Sequence, residues 1–449
     1  MNRLSSPRCR PLLLAFLTLR TVPALAHGGL PETSNITLRR GVPANLFAGT
    51  NFGAVMSRDG GRTWRWICPE SMGYSDRMPA SYLWLSNGDL LAATGAALIR
   101  SRDGGCTWEP HGFFVSQGLW PSGLASHPSE ESRLWVSTGR PSSPNALYQS
   151  DDGGETFTAT SLLRSHAVFT SVRVAPSDPR RLYVSGSTPN GLSLFRSDDA
   201  GTTWEEIPQP LPMLVRPYDL RLQTVAEGDP DHLWASVSAA QGLTYVLESR
   251  DGGRSFQSLL TLDEQLVDMD SSADGRTFWA ASLTRLHRGQ TGAPAVQLTL
   301  PDGNACVHRD GLLLYACGST WVHNWALARS RDQGRTWERL LSLPDIQGVH
   351  TCPAGTPTYD RCWPRWPQLA QMLGASYSFP DAGTPGGSVD AGTPGDSVDA
   401  GLSEPTSDTE TPGEPPPKHG CTSSGGQLPM ASLLAFIALR RWRRCGRTS

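Results

Sequence analysis

The chain has 449 residues, with 39 Lys and Arg against 42 Asp and Glu and a formal net charge of -3. That balance excludes a polybasic nucleic-acid binder, which needs a concentrated positive surface to meet phosphates. With 46 Gly and 36 Pro the chain is rich in turn-formers, and 38% hydrophobic residues allow a core of ordinary size.

Residues 1–26 read as a secretory signal peptide. Arg3, Arg8 and Arg10 precede an apolar run from Leu12 to Leu19, and Ala24-Leu25-Ala26 offers a small-residue cleavage site before His27. The run is too short to cross a bilayer, which takes about 20 apolar residues.

Beyond residue 33 one octapeptide returns six times. It starts at Ser57 (SRDGGRTW), Ser101 (SRDGGCTW), Ser150 (SDDGGETF), Ser197 (SDDAGTTW), Ser249 (SRDGGRSF) and Ser330 (SRDQGRTW). Asp59, Asp103, Asp152, Asp199, Asp251 and Asp332 can accept backbone N–H bonds inside the turn, as Asx-turns do. Gly61 and its equivalents supply a position that needs positive φ. The closing aromatics, including Trp64, Trp108, Trp204 and Trp337, are expected to pack between sheets. These aspartates are read as structural clasps. A calcium loop of the EF-hand type needs further oxygen ligands and a distal glutamate, and no octapeptide carries them.

The spacing sets the architecture. Successive octapeptides start 44, 49, 47, 52 and 81 residues apart, so the last interval holds two units, with Leu286 to Gln297 standing where a seventh octapeptide would fall. An alternating apolar strand precedes each position, as in Asn45 to Thr50, Leu134 to Gly139 and Leu313 to Gly318. The expectation is an all-β chain: a single seven-bladed β-propeller of four-stranded antiparallel blades over residues 33–345. The apolar strand is then second in its blade, and the octapeptide joins strands three and four.

Residues 346–376 are expected to cap the ring. They contain Cys352, Cys362, Trp363 and Trp366, and PQLAQML is the one helical turn expected in the mature protein. Residues 380–419 carry the repeat DAGTPGGSV, DAGTPGDSV and then polar and proline-rich sequence, read as a disordered stalk. Residues 420–449 place Gly420-Cys421 before a short apolar segment and Arg440, Arg441, Arg443 and Arg444. A plain membrane anchor is one reading of this tail. Six cysteines remain in ring and cap, an even number that suits an oxidising compartment. Cys306–Cys317 and Cys352–Cys362 are the expected bridges, which leaves Cys68 with Cys106 by subtraction.

The octapeptide resembles the Asp-box, or BNR repeat, of sialidases, sortilin-type receptors, xyloglucanases and photosystem II assembly factors. The seven-bladed, exported form is most similar to photosystem II stability factors, whose propellers bind protein partners. The tail resembles the C-terminal sorting signals of myxobacterial surface proteins, which implies that Cys421 is the processing and anchoring residue. In related proteins the ligand site lies on the face opposite the boxes, which directs attention to Arg216, Tyr218, Asp219, Asp268 and Asp270 as candidate binding residues. The Arg-Ile-Pro element of sialidases does not occur, and xyloglucanases place their catalytic aspartates between two propellers.

The expected function is therefore a non-catalytic binding or scaffold protein for a glycan or protein at the cell surface, or at the outer membrane of a Gram-negative bacterium. It is expected to be monomeric, without cofactor, metal or nucleic acid, and to touch the membrane through its tail alone. The alternative is a glycoside hydrolase of sialidase- or xyloglucanase-like type, with an acid pair drawn from Asp219, Asp268 and Asp270.

Overall fold

Short apolar strands broken by Gly, Asp and Pro turns fold into seven antiparallel sheets of four consecutive strands each. The computed structural model describes residues 31–74, 81–291, 296–297 and 306–376. The segments read as a signal peptide, a stalk and a tail with Cys421 lie outside the described residues.

The sheets are the blades of a propeller, spanning residues 33–67, 81–110, 121–164, 168–208, 217–262, 266–297 and 307–341. The first strands of successive blades contact one another around the whole ring, from Thr33–Arg39 through Val307–Asp310 and back. Each second strand is the apolar one expected: Val42–Thr50 in blade 1 is buried over its last six residues, and Thr277–Ser282 in blade 6 throughout. Each of the seven hydrophobic clusters fills one seam between neighbouring blades, so the core is a ring of inter-blade layers with no single centre.

An innermost strand has one edge without a neighbouring strand, and its backbone groups need other partners. Side chains reaching across from the adjacent first strand supply them. Arg173 Nε donates to Gln223 O at 2.7 Å, and Arg309 Nε to Ser271 O at 2.6 Å. The Thr170 hydroxyl donates to Leu220 O.

The cap differs from expectation in two respects. Ile346–Val349 is a fifth strand, parallel to Trp64–Ile67 on the outer edge of blade 1, so the chain seals its own ring after blade 7. The Cys352–Cys362 and Cys68–Cys106 pairings are replaced by Cys68–Cys362 and Cys106–Cys352, with Cα separations of 5.3 and 5.4 Å. The physical reason is this return of the chain, which lays residues 350–362 against blades 1 and 2 rather than folding them on themselves. Cys306–Cys317 forms within one hairpin.

Among the described residues, three short α-helices, α1 (Gly112–Ser116), α2 (Thr320–His323) and α3 (Pro357–Cys362), occur besides the expected helix, α4 (Trp366–Leu373). They lack the length to signal themselves in sequence. Phe114 of α1 is fully buried against Tyr148 and Phe157, so tertiary packing and not propensity holds that turn.

Candidate functional site

The octapeptides form the same turn six times. In the first, the Ser57 hydroxyl donates to Asp59 Oδ1 at 2.8 Å and accepts the Gly61 N–H at 2.9 Å. Asp59 Oδ1 also accepts the N–H groups of Arg62 and Thr63, and Oδ2 accepts the Thr63 hydroxyl at 2.7 Å. Burial would raise the Asp59 carboxyl, but the bonds from Thr63, Ser57 and Arg62 outweigh it and bring the carboxyl down to about 2. In Asp332 the Thr336 hydroxyl and N–H lead, again to about 2. These carboxylates are saturated by their own turns.

Two consecutive positions of the turn are left-handed. Gly61 has φ 91°, and a Cβ there would meet Leu340 Cδ2 at 3.1 Å. The preceding position is Gly60 in the first turn, but Ala200 and Gln333 occupy it in two others at φ 60° and 61°. The closing aromatic reaches back to the previous blade. Trp64 joins the blade 7 layer, Trp108 packs with Phe47 of blade 1, and Phe256 with Leu194 of blade 4. Trp204 and Trp337 are only partly buried. In blade 6, Leu286–Gln290 and Val296–Gln297 pair as strands three and four, so the strands persist there without the octapeptide sequence.

The meander fixes two faces. Octapeptide turns and the loops between strands one and two share one face. Loops between strands two and three, and between successive blades, share the other. Arg216, Tyr218 and Asp219 lie on that other face, where the chain enters Pro217–Val225, the first strand of blade 5. Arg216 has φ 48°, Tyr218 is 65% exposed, and Asp219 is half-buried. Burial pushes the Asp219 carboxyl up against the lowering effect of Arg221.

Asp268 and Asp270 are placed differently. They lie along Leu266–Ser271, the first strand of blade 6, and belong to the bonding between inner strands. Asp268 Oδ2 accepts the Val307 N–H at 3.2 Å, and Asp270 Oδ2 the Arg309 N–H at 2.7 Å. Burial raises the Asp268 carboxyl to about 7, with Asp270 adding to it and the Val307 and Met269 N–H groups and Arg173 opposing it. Burial and Arg221 lower Arg173 to about 10, against the pull of Asp268 and Asp270. The five candidates therefore form two groups. Arg216, Tyr218 and Asp219 sit at a loop mouth, while Asp268 and Asp270 are inner-strand braces coupled to Arg173.

Sequence reasoning missed Arg173, Arg221 and Arg309 on the innermost strands; Arg173 stands among mostly apolar neighbours in Val168–Ala175, whereas Pro217–Val225 and Val307–Asp310 carry several other polar residues that hide the signal. It also missed the apolar character of the loop face. Among the described residues eleven large apolar side chains are exposed, and nine of them are on the face opposite the octapeptides. Val115, Trp120 and Leu163 are in blades 2 and 3 and the loop joining them, Met213, Val215 and Tyr218 at the entry to blade 5, and Leu283, Trp321 and Val322 in blades 6 and 7. Among the described residues, five of the seven non-glycine residues with left-handed backbone lie on loops of the same face: Ser142, Leu211, Arg216, Gln241 and Asn324. Such strain gathers where loop shape matters to function.

Among the described residues no helix is long and apolar enough to cross a membrane. No family model matches the chain. A segment of 84 residues is 30% identical to a xyloglucanase of Hypocrea jecorina (strain QM6a), covering 19% of this chain and 9% of that protein. Among solved structures, an ancestral GH74 enzyme superposes with a TM-score of 0.56 at 12% identity, over 72% of this chain and 48% of the other. YCF48 from Cyanidioschyzon merolae gives a TM-score of 0.45 at 14% identity, over 64% and 92%. The chain thus spans about half of the GH74 chain and a small part of the xyloglucanase, and what the first superposition shows is the shared β-propeller fold.

Proposed function

We propose that this is an exported propeller, displayed at the cell surface through its C-terminal tail, that binds a partner without catalysis on the face opposite the octapeptide turns. The observation that carries the reading is the gathering of nine exposed apolar side chains on that face. Scattered apolar residues are ordinary on a surface, but a one-sided distribution marks an interaction face. Aliphatic Val115, Leu163, Met213, Val215, Leu283 and Val322 outnumber the aromatic platforms Trp120, Tyr218 and Trp321, which favours a protein partner over a glycan. Three disulfides suit an oxidising compartment.

The competing reading is a glycoside hydrolase, and the short similarity to a xyloglucanase is what favours it. Against it, Asp268 and Asp270 each hold a backbone N–H of blade 7. A glycan array combined with hydrolysis assays on a polysaccharide panel, run on the full-length protein, separates the two. Binding without product release supports the proposal. Turnover that disappears in Asp219→Asn or Asp268→Asn, with the fold intact, contradicts it.

A further inference from the structure

The octapeptide face carries a separate feature. Between the first two octapeptide turns and the returning cap lies an open pocket of about 420 Å³, lined among others by Arg58, Arg65, Asp103, Cys106, His350 and Thr351. The Cys106–Cys352 bridge fixes its wall, because it ties the second turn to the cap beside His350.

Arg58 breaks a pattern. It is the second residue of its octapeptide, and arginines at the same place in three others pair with acids. Arg102 meets Glu155 at 2.7 Å, Arg250 meets Glu248 at 3.3 Å, and Arg331 meets Glu338 at 3.8 Å. Among the described residues Arg58 has no carboxylate oxygen within 4.0 Å, and neither has Arg65. Each spends one N–H on a backbone carbonyl, Arg58 on Gly104 O at 3.0 Å and Arg65 on Val349 O at 3.3 Å. The remaining guanidinium donors stay available, in the planar fork that matches carboxylate and other oxyanions.

Asp103 also lines the pocket, but its Oδ1 is occupied by the N–H groups of Cys106 and Thr107 and by the Ser101 hydroxyl. Burial, with Arg58 and Arg65 behind it and Gly104 O and Asp103 opposing, holds the buried His350 ring at about 4, so it is neutral and donates Nε2–H to Gly104 O at 3.0 Å. His350 therefore adds no charge to the pocket, whose cations are the Arg58 and Arg65 guanidinium groups.

We propose that this pocket is an oxyanion site in which Arg58 and Arg65 hold a carboxylate or sulfate group of a ligand. It lies on the other face from the apolar loops and does not depend on what binds them. The test is calorimetric titration of sulfate and, separately, acetate into the full-length protein at constant ionic strength. Saturable binding of at least one anion is expected, and the stronger of the two identifies the preferred group. Arg58→Gln and Arg65→Gln should each weaken it by about tenfold or more. Arg62→Gln, an exposed arginine of the same turn outside the pocket, should leave it unchanged. Melting midpoints are recorded for every variant, and if one of the two pocket variants does not fold, the other decides. Absence of saturable binding by both anions, or binding that survives in the folded pocket variants, would overturn the assignment.

Discussion

The indole N–H of Trp64 donates to the carbonyl oxygen of Leu340 at 2.9 Å and to that of Gly61 at 3.1 Å, so one side chain clasps its own turn and the neighbouring blade 7. This is the seam where the ring closes, and Trp64 is 1% exposed there. Trp64→Ala is expected to cost about 3 to 5 kcal/mol, the range for emptying a buried aromatic site. Trp204→Ala removes a partly buried ring within the chain-continuous seam of blades 3 and 4 and should cost less. Denaturant unfolding of the two variants checks the order.

Ala200 occupies a left-handed position that glycine fills in four other turns. Ala200→Gly relieves a strain of about 1 to 2 kcal/mol and loses about 0.4 to 1 kcal/mol through the looser unfolded chain. The net expectation is a modest gain in stability, read as a higher melting midpoint. Gly153→Ala, the reverse change in blade 3, should lower it.

The acid side of the stability profile follows from the turns. All six octapeptide carboxyls sit below their ordinary value, Asp59 and Asp332 at about 2. A group depressed in the folded state contributes above its unfolded value and loses that contribution as pH falls through the folded one. Stability should therefore drop between about pH 4 and pH 2. In Asp59→Asn the drop should be shallower, which unfolding curves across that range would show.

Asp268 acts in the opposite direction. Its carboxyl is raised to about 7 in the fold, so the folded state holds the proton more firmly than the unfolded chain. Stability from this group is present below about pH 4 and declines as pH rises through about 7. Asp268→Asn should accordingly gain on the wild type between pH 5 and pH 8. A constant difference across that window would contradict the burial of this side chain among the inner strands.

Reduction of the bridges should loosen the cap first. Cys68–Cys362 closes 294 residues, a loop for which chain entropy gives about 6 kcal/mol when it is the first to form. Cys106–Cys352 then closes little additional chain, so losing either one should cost less than losing both. Melting of Cys362→Ser, Cys352→Ser and the double variant measures the difference.

Blade number was legible because the octapeptide marks one turn per blade, and the missing copy still left a double interval before Ser330. The pairing Cys306–Cys317 was legible for a related reason, since both residues flank one hairpin. Cys68–Cys362 and Cys106–Cys352 were not, because they depend on where the chain arrives after a full turn of the ring. The candidate site was legible only in part. Arg216, Tyr218 and Asp219 announce a loop by composition, whereas Asp268 and Asp270 look equally ligand-like in sequence and turn out to brace a neighbouring strand's edge. The unpaired state of Arg58 depends on three acids present near its counterparts and absent near it, which no single segment reveals.

The most direct test of the docking face is site-specific photo-crosslinking in the producing cells. A photo-reactive phenylalanine analogue is placed at Tyr218, 65% exposed on the loop face, or at Leu312, 92% exposed on the octapeptide face. A discrete protein adduct is expected from position 218 and none from 312. Adducts from 312 alone, or from neither position in folded, displayed protein, would contradict a protein partner bound at the apolar loops.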